Sequence, residues 1–133
     1  MAYSESAQVV SIIAGTTFAD ADLYKFIDLD ASGHAILMDT TGNNLAIGTL
    51  YGRTNTTSST GSEAVPVAIS GVVKVRMAGS TAAIGNWVAA SSAALGIAPS
   101  TDGYVFGRIV EGTSGTTGRV ASVLVIRGPL STP

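Results

Sequence analysis

The stretch of residues 63–112 constrains this chain more than any other. Its first part alternates: Val65, Val67 and Ile69, then Val73, Val75 and Met77, with Ser70 and Gly71 between the two runs. A period of two puts successive side chains on opposite faces, so the runs read as half-buried strands paired around the glycine break. Glycines then recur at 79, 85, 96, 103, 107 and 112, each beside a short apolar run. No helix of ordinary length fits between breakers at that spacing. The stretch is predicted to be a series of short strands joined by tight turns, with almost no residue suited to catalysis.

The flanking sequence repeats the pattern. Residues 23–29 (LYKFIDL) mix aromatic and branched side chains and predict a strand, with Leu23, Lys25, Ile27 and Leu29 on one face and Tyr24, Phe26 and Asp28 on the other. Asp30, Ala31, Ser32 and Gly33 supply turn chemistry, and residues 34–38 the return strand. A second turn is expected at 41–44 and a polar surface loop at 54–62. Within residues 45–52, Ile47, Gly48, Thr49 and Leu50 echo Phe106, Gly107, Arg108 and Ile109. A glycine inside a strand marks a bulge or a close backbone approach. The two strands are therefore expected at equivalent positions of a closed or nearly closed sheet, although four residues do not establish a repeat. The Ala-rich residues 81–95 admit a helix, but Gly85 and Asn86 interrupt it, and two short strands about that turn are favoured. Residues 104–110 and 120–127 close the pattern. The whole is an all-β chain of about nine to eleven short strands, a small barrel or sandwich.

A length of 133 residues is one domain with a core that needs no staples. Residues 1–14 are read as an N-terminal arm and 15–133 as a single β-rich domain. Within the arm, residues 8–14 (QVVSIIA) are apolar enough for a strand, or for a segment that orders only on a partner. There is no cysteine, hence no disulfide framework or thiolate chemistry. Seven Lys+Arg against nine Asp+Glu argue against a nucleic-acid partner, which needs a basic footprint. The apolar runs are far shorter than a membrane span, and residues 1–10 lack the pattern of a signal peptide, so synthesis in the cytoplasm is expected. Only 12% of residues are charged and 46% are hydrophobic. A typical domain is about one quarter charged. Part of this surface is therefore expected to lie against copies of the chain or a larger assembly.

Candidate chemistry is sparse. His34 is the sole histidine, with Asp28, Asp30 and Asp39 near it in sequence, but no nucleophile-elbow pattern accompanies it. Asp28, Asp30, Ser32 and Gly33 match the opening of a calcium loop, with Asp39 at the twelfth position. Asp39 replaces the usual bidentate Glu there, Ile36 occupies a common ligand position, and strands rather than helices flank the loop, so a plain Asp/Ser/Gly turn is the favoured reading. Phosphate-binding glycine motifs are absent, although Gly112, Gly115 and Gly118 are spaced by three. Trp87 and the tyrosines at 3, 24, 51 and 104 suit core and interface packing, or a glycan-binding face. Arg108, Glu111, Arg119 and Arg127 suit pairing across strands or between subunits, or plain solvation. No catalytic, cofactor-binding or metal-binding residue and no cofactor is assigned.

Ile84, Gly85, Asn86, Trp87 and Val88, then Ala94, Leu95, Gly96 and Ile97, then residues 104–111 (YVFGRIVE) form a glycine-based pattern that resembles the head decoration proteins of tailed bacteriophages, also called capsid cement proteins. Residues 23–27, 47–50 and 65–72 resemble the earlier strands of that family, so the likeness covers residues 22–127. It implies a small β-rich structural protein, not an enzyme, on the outer surface of the virion head. Such a protein binds the major capsid protein as homotrimers at three-fold and local three-fold positions and stabilises the capsid. Residues 1–14 are then expected to pair with a capsid strand by edge addition, and their deletion to leave the barrel folded. The alternative is a jelly-roll or lectin-like module that presents aromatics to glycans.

Overall fold

Glycine at position 71, with φ +85°, ends one sheet and starts the next. A computed structural model describes residues 7–39, 46–54, 63–79, 83–99, 104–112 and 118–129. The turn expected at 41–44, most of the loop expected at 54–62, the helix-or-strand choice at 81–82, Gly115 and Tyr3 lie outside the described residues.

The described residues form ten strands: β1 (Gln8–Ile13), β2 (Phe26–Leu29), β3 (Ala35–Leu37), β4 (Gly48–Leu50), β5 (Ala64–Ser70), β6 (Val72–Arg76), β7 (Trp87–Ala90), β8 (Gly96–Ile97), β9 (Tyr104–Glu111) and β10 (Val120–Pro129). Asp20–Asp22 adds one 3-10 turn. The strands make two antiparallel five-stranded sheets, ordered β1-β5-β4-β2-β3 and β6-β10-β9-β7-β8. Adding five to each label of the first order yields the second. The chain is thus two units with one topology, residues 8–70 and 72–129.

The match extends to single residues. In unit one Phe26 pairs with Thr49, Thr49 with Ala68, and Ala68 with Val9. In unit two Trp87 pairs with Arg108, Arg108 with Leu124, and Leu124 with Val72. One parallel bridge brings each sheet nearly to closure, Ala14 with Ala35 and Met77 with Gly96. The adjacent bonds also correspond: Gly15 N–H donates to Ala35 O at 2.8 Å, and Ala78 N–H to Gly96 O at 2.9 Å. Each unit is therefore a small, nearly closed barrel.

The glycine echo has a physical basis in this register. A Cβ on Gly48 would lie 2.1 Å from the Ala68 carbonyl oxygen, and one on Gly107 would lie 2.2 Å from that of Leu124. At both places the neighbouring strand leaves no room for a side chain.

Two expectations are corrected. The runs at 65–69 and 73–77 do not pair with each other; β5 pairs with β1 and β4, and β6 with β10. A single residue between strands is too short for a hairpin, so Gly71 passes the chain from one barrel to the other. Gly85 and Asn86 do not join two strands either. They precede β7, and the β7–β8 turn is formed by residues 91–95. Two expected elements are also shorter than the sequence pattern: residues 23–25 precede β2, and β4 begins only at Gly48. Residues 8–13 of the expected arm form β1, paired along β5, with Val10 and Ile12 against the first barrel's core.

Unit one encloses Ala14, Phe18, Ile27, Ala35, Leu50, Val65 and Val67. The equivalent interior of unit two, including Met77, Val88, Ile109, Ala121 and Val123, is continuous with the junction between units, where Phe26, Met38, Ala46, Ala68 and Phe106 are buried. Phe26 and Phe106 meet edge to face at 4.8 Å. Arg76 N–H donates to Tyr24 O at 2.8 Å and its Nε to Leu23 O at 2.9 Å. Lys74 N–H donates to the Tyr51 hydroxyl at 2.7 Å. Arg127 donates to the carbonyls of Ile47 and Ile69.

Gly48→Ala and Gly107→Ala are each expected to destabilise the fold by about 3 kcal/mol or more, because a backbone carbonyl cannot yield by an ångström. Gly79→Ala, with nothing within 4 Å of the added methyl, should stay within about 0.5 kcal/mol. Thr49 is fully buried at the junction and its hydroxyl has no hydrogen-bond partner among the described residues. Thr49→Val keeps the shape and removes the unsatisfied group, and is expected to raise stability by about 1 kcal/mol. Denaturant unfolding of the four variants measures all of these.

Candidate interaction surface

The residues singled out for chemistry do not converge on a reactive site. His34 Nδ1 lies 3.8 Å from Asp30 Oδ2 at the half-exposed β2–β3 turn. Asp30 Oδ1 accepts the backbone N–H groups of Ser32 at 2.8 Å and His34 at 2.9 Å. Asp28 Oδ1 accepts Leu29 N–H at 2.7 Å. Among the described residues no three His, Asp or Glu side chains stand close enough to share a metal ion, so Asp28, Asp30 and Asp39 are not brought together.

The second unit shows what this turn is for. Residues 91–95 take the place of 30–34. Ser91 Oγ accepts the N–H groups of Ala93 and Leu95, both at 3.2 Å. Ser91 N–H donates to Leu95 O at 2.9 Å, as Asp30 N–H does to His34 O at 2.9 Å. The fourth residue is left-handed in both turns, Gly33 at φ +81° and Ala94 at φ +64°. One acceptor side chain at the first position closes the turn by capping two orphan N–H groups. Asp30 is that acceptor in unit one, and its carboxylate is held below the usual aspartate range, chiefly by the His34 N–H bond.

The aromatic residues divide. Tyr24 and Tyr51 pack edge to face at 5.4 Å inside the junction, and Lys74 Nζ sits 5.5 Å from the Tyr24 ring centre. Trp87 lies on the outer face of unit two, where the Arg108 guanidinium stacks over its ring at 5.1 Å and donates to Gly85 O at 3.0 Å. Arg127 reaches across to unit one and covers the Phe106 ring at 5.2 Å. Burial lowers the Arg127 pKa from its ordinary value. Both arginines therefore bind backbone carbonyls and aromatic faces.

What the structure offers to a partner is apolar surface on two outer faces. On unit one, β1 turns Val9 and Ile13 outward, 45% and 36% exposed, with Leu29 at 40%. On unit two, Ile84 is 72% and Leu124 38% exposed, flanking the Trp87–Arg108 stack. The sequence pattern marked these residues as strand members. It carried no signal for the outward ones, because a strand's exposed face is decided by which sheet covers it.

Comparison with protein-family models, with curated proteins and with solved structures finds no match to this chain.

Asp30→Ser is expected to melt above Asp30→Ala, since serine already closes the matching turn. Because the folded-state pKa of Asp30 is depressed, its charge contributes stability that is fully present above the ordinary value of 3.8 and lost as pH falls through the folded value. The melting difference between wild type and Asp30→Asn should therefore shrink on acidification below that value. A difference constant with pH would show that the charge contributes nothing.

Proposed function

We propose that this chain is a structural protein that decorates the outer surface of a bacteriophage head. It binds the major capsid protein, gathers as trimers at three-fold and local three-fold positions, and stabilises the shell. The observation that carries this reading is the resemblance over residues 84–111, whose motifs lead into the consecutive strands β7, β8 and β9. The apolar outer faces and the 12% charge content support it, since both suit a surface that is covered in the working state.

The physical basis is mass action. A protein that binds the assembled lattice and not its disassembled parts stabilises the lattice by about 3–4 kcal/mol per site at hundreds of times Kd. Summed over many sites, this opposes the outward pressure of packaged DNA. No catalytic step is assigned to His34.

Co-sedimentation with empty expanded heads and with unexpanded precursor heads tests the proposal. Saturable binding to expanded heads alone is the expected result. Binding to neither form by a monodisperse protein would overturn it and turn attention to glycans, with Trp87→Ala as the first variant on an array. The role of the N-terminal segment is tested by removing residues 1–6 only. Removing 1–14 would also strip β1 from β5, so that deletion is not expected to leave the barrel intact. The shorter deletion should abolish head binding at unchanged melting temperature; full occupancy would show that the segment takes no part.

A further inference from the structure

The junction between the two units joins different faces of equivalent barrels. Unit one contributes the outer side of β2, β4 and β5, where Phe26, Thr49 and Ala68 are fully buried, together with the Leu23 and Tyr24 carbonyls. Unit two contributes the free edge of β6, with Lys74 and Arg76, and the turn carrying Ala94, whose carbonyl accepts Phe26 N–H at 2.8 Å. A contact between unlike faces of like units is heterologous, and it leaves one face of each kind open at the two ends.

Both open faces are present and carry exposed apolar side chains. The register places Trp87, Arg108 and Leu124 where unit one has Phe26, Thr49 and Ala68, and Ile84 and Gly85 where it has Leu23 and Tyr24. It places Ser11 and Ile13 of β1 where unit two has Lys74 and Arg76, and Gly33 where it has Ala94. Ala14 N–H donates to the O of Glu63, the residue before β5, so the Ile13 N–H, one residue earlier, points away from the sheet, as that of Arg76 does toward Tyr24. The side chains change together. Inside the chain Lys74 and Arg76 meet Tyr24 and Tyr51. At the open ends the equivalent positions are Ser11 and Ile13 on one face and Gly85 and Val110 on the other, so a contact that repeated the junction would be small and apolar where the internal one is cation on aromatic. Four of the large exposed apolar side chains, Val9, Ile13, Ile84 and Leu124, fall on these two faces.

We infer that copies of this chain join head to tail, the β1 face of one copy covering the Trp87–Leu124 face of the next and repeating between chains the contact that joins the units within a chain. The repeat closes into a ring or continues as a filament according to the rotation at each step. The contact is a property of the chain alone, so its test contains no capsid, and its failure is distinct from failure of the capsid reading.

The test uses the full chain, light scattering after size exclusion, and two variants, Leu124→Glu and Ile13→Glu. Wild type should run as an oligomer or as concentration-dependent fibres. Each variant alone should be a monomer of 13.3 kDa with the wild-type circular dichroism spectrum. Mixed in equal amounts, they should form a dimer of twice that mass and nothing larger, because each retains the face the other needs. Should either variant misfold, Ile84→Glu and Val9→Glu replace the pair. A monomeric wild type, variants that associate as wild type does, or a mixture that stays monomeric would overturn the proposal.

Discussion

A five-stranded barrel of about 60 residues buries too little of its own surface to be comfortably stable alone. The structure meets this limit by docking two such barrels so that the interior of the second and the junction share one apolar cluster. Phe26 is central to that arrangement. It lies on the outer side of its own barrel, yet it is fully buried, packed edge to face on Phe106 and bonded through its N–H to the Ala94 carbonyl. Arg127 seals the same junction with no acidic partner among the described residues, using two carbonyls of unit one and the face of Phe106. A guanidinium suits this because its fork of donors meets more than one carbonyl while its plane covers a ring.

The duplication also separates structural polar residues from functional ones. Asp30 alone resembles a metal ligand or the partner of a histidine. Beside Ser91, which caps the same two N–H groups in the other barrel, it is a turn acceptor. The same comparison explains Gly48 and Gly107, each pressed against a carbonyl of the neighbouring strand. Whatever the two units retain in common is there for the barrel. Where they diverge, as Phe26 does from Trp87 or Arg76 from Ile13, one member of each pair lies in the junction and the other lies outside it.

Much of the fold was legible in the chain because strand signals are local. Alternation at 65–69 and 73–77 predicts strands, and glycine and aspartate turns predict their ends. Even the echo of residues 47–50 in 106–109 pointed to equivalent strands. Pairing was not legible, because antiparallel partners such as Val9 and Ala68 lie far apart in sequence and no local pattern specifies them. The apparent hairpin about Gly71 misled for that reason: alternation reports which residues face inward, not which strand lies alongside. Of the candidate surface, the aromatic and arginine residues were visible as types, whereas the open faces were not.

The sequence by itself determined the class of fold and the poverty of reactive groups, since period-two patterning, glycine spacing and a low charge content are properties of the chain alone. Tertiary structure alone decided that there are two barrels, that β1 belongs to the first, and that Phe26 is fully covered while Trp87 stays partly exposed. These follow from long-range register and from docking of unlike faces. Two side chains with the same local pattern acquire different burial only when a second barrel arrives on one of them.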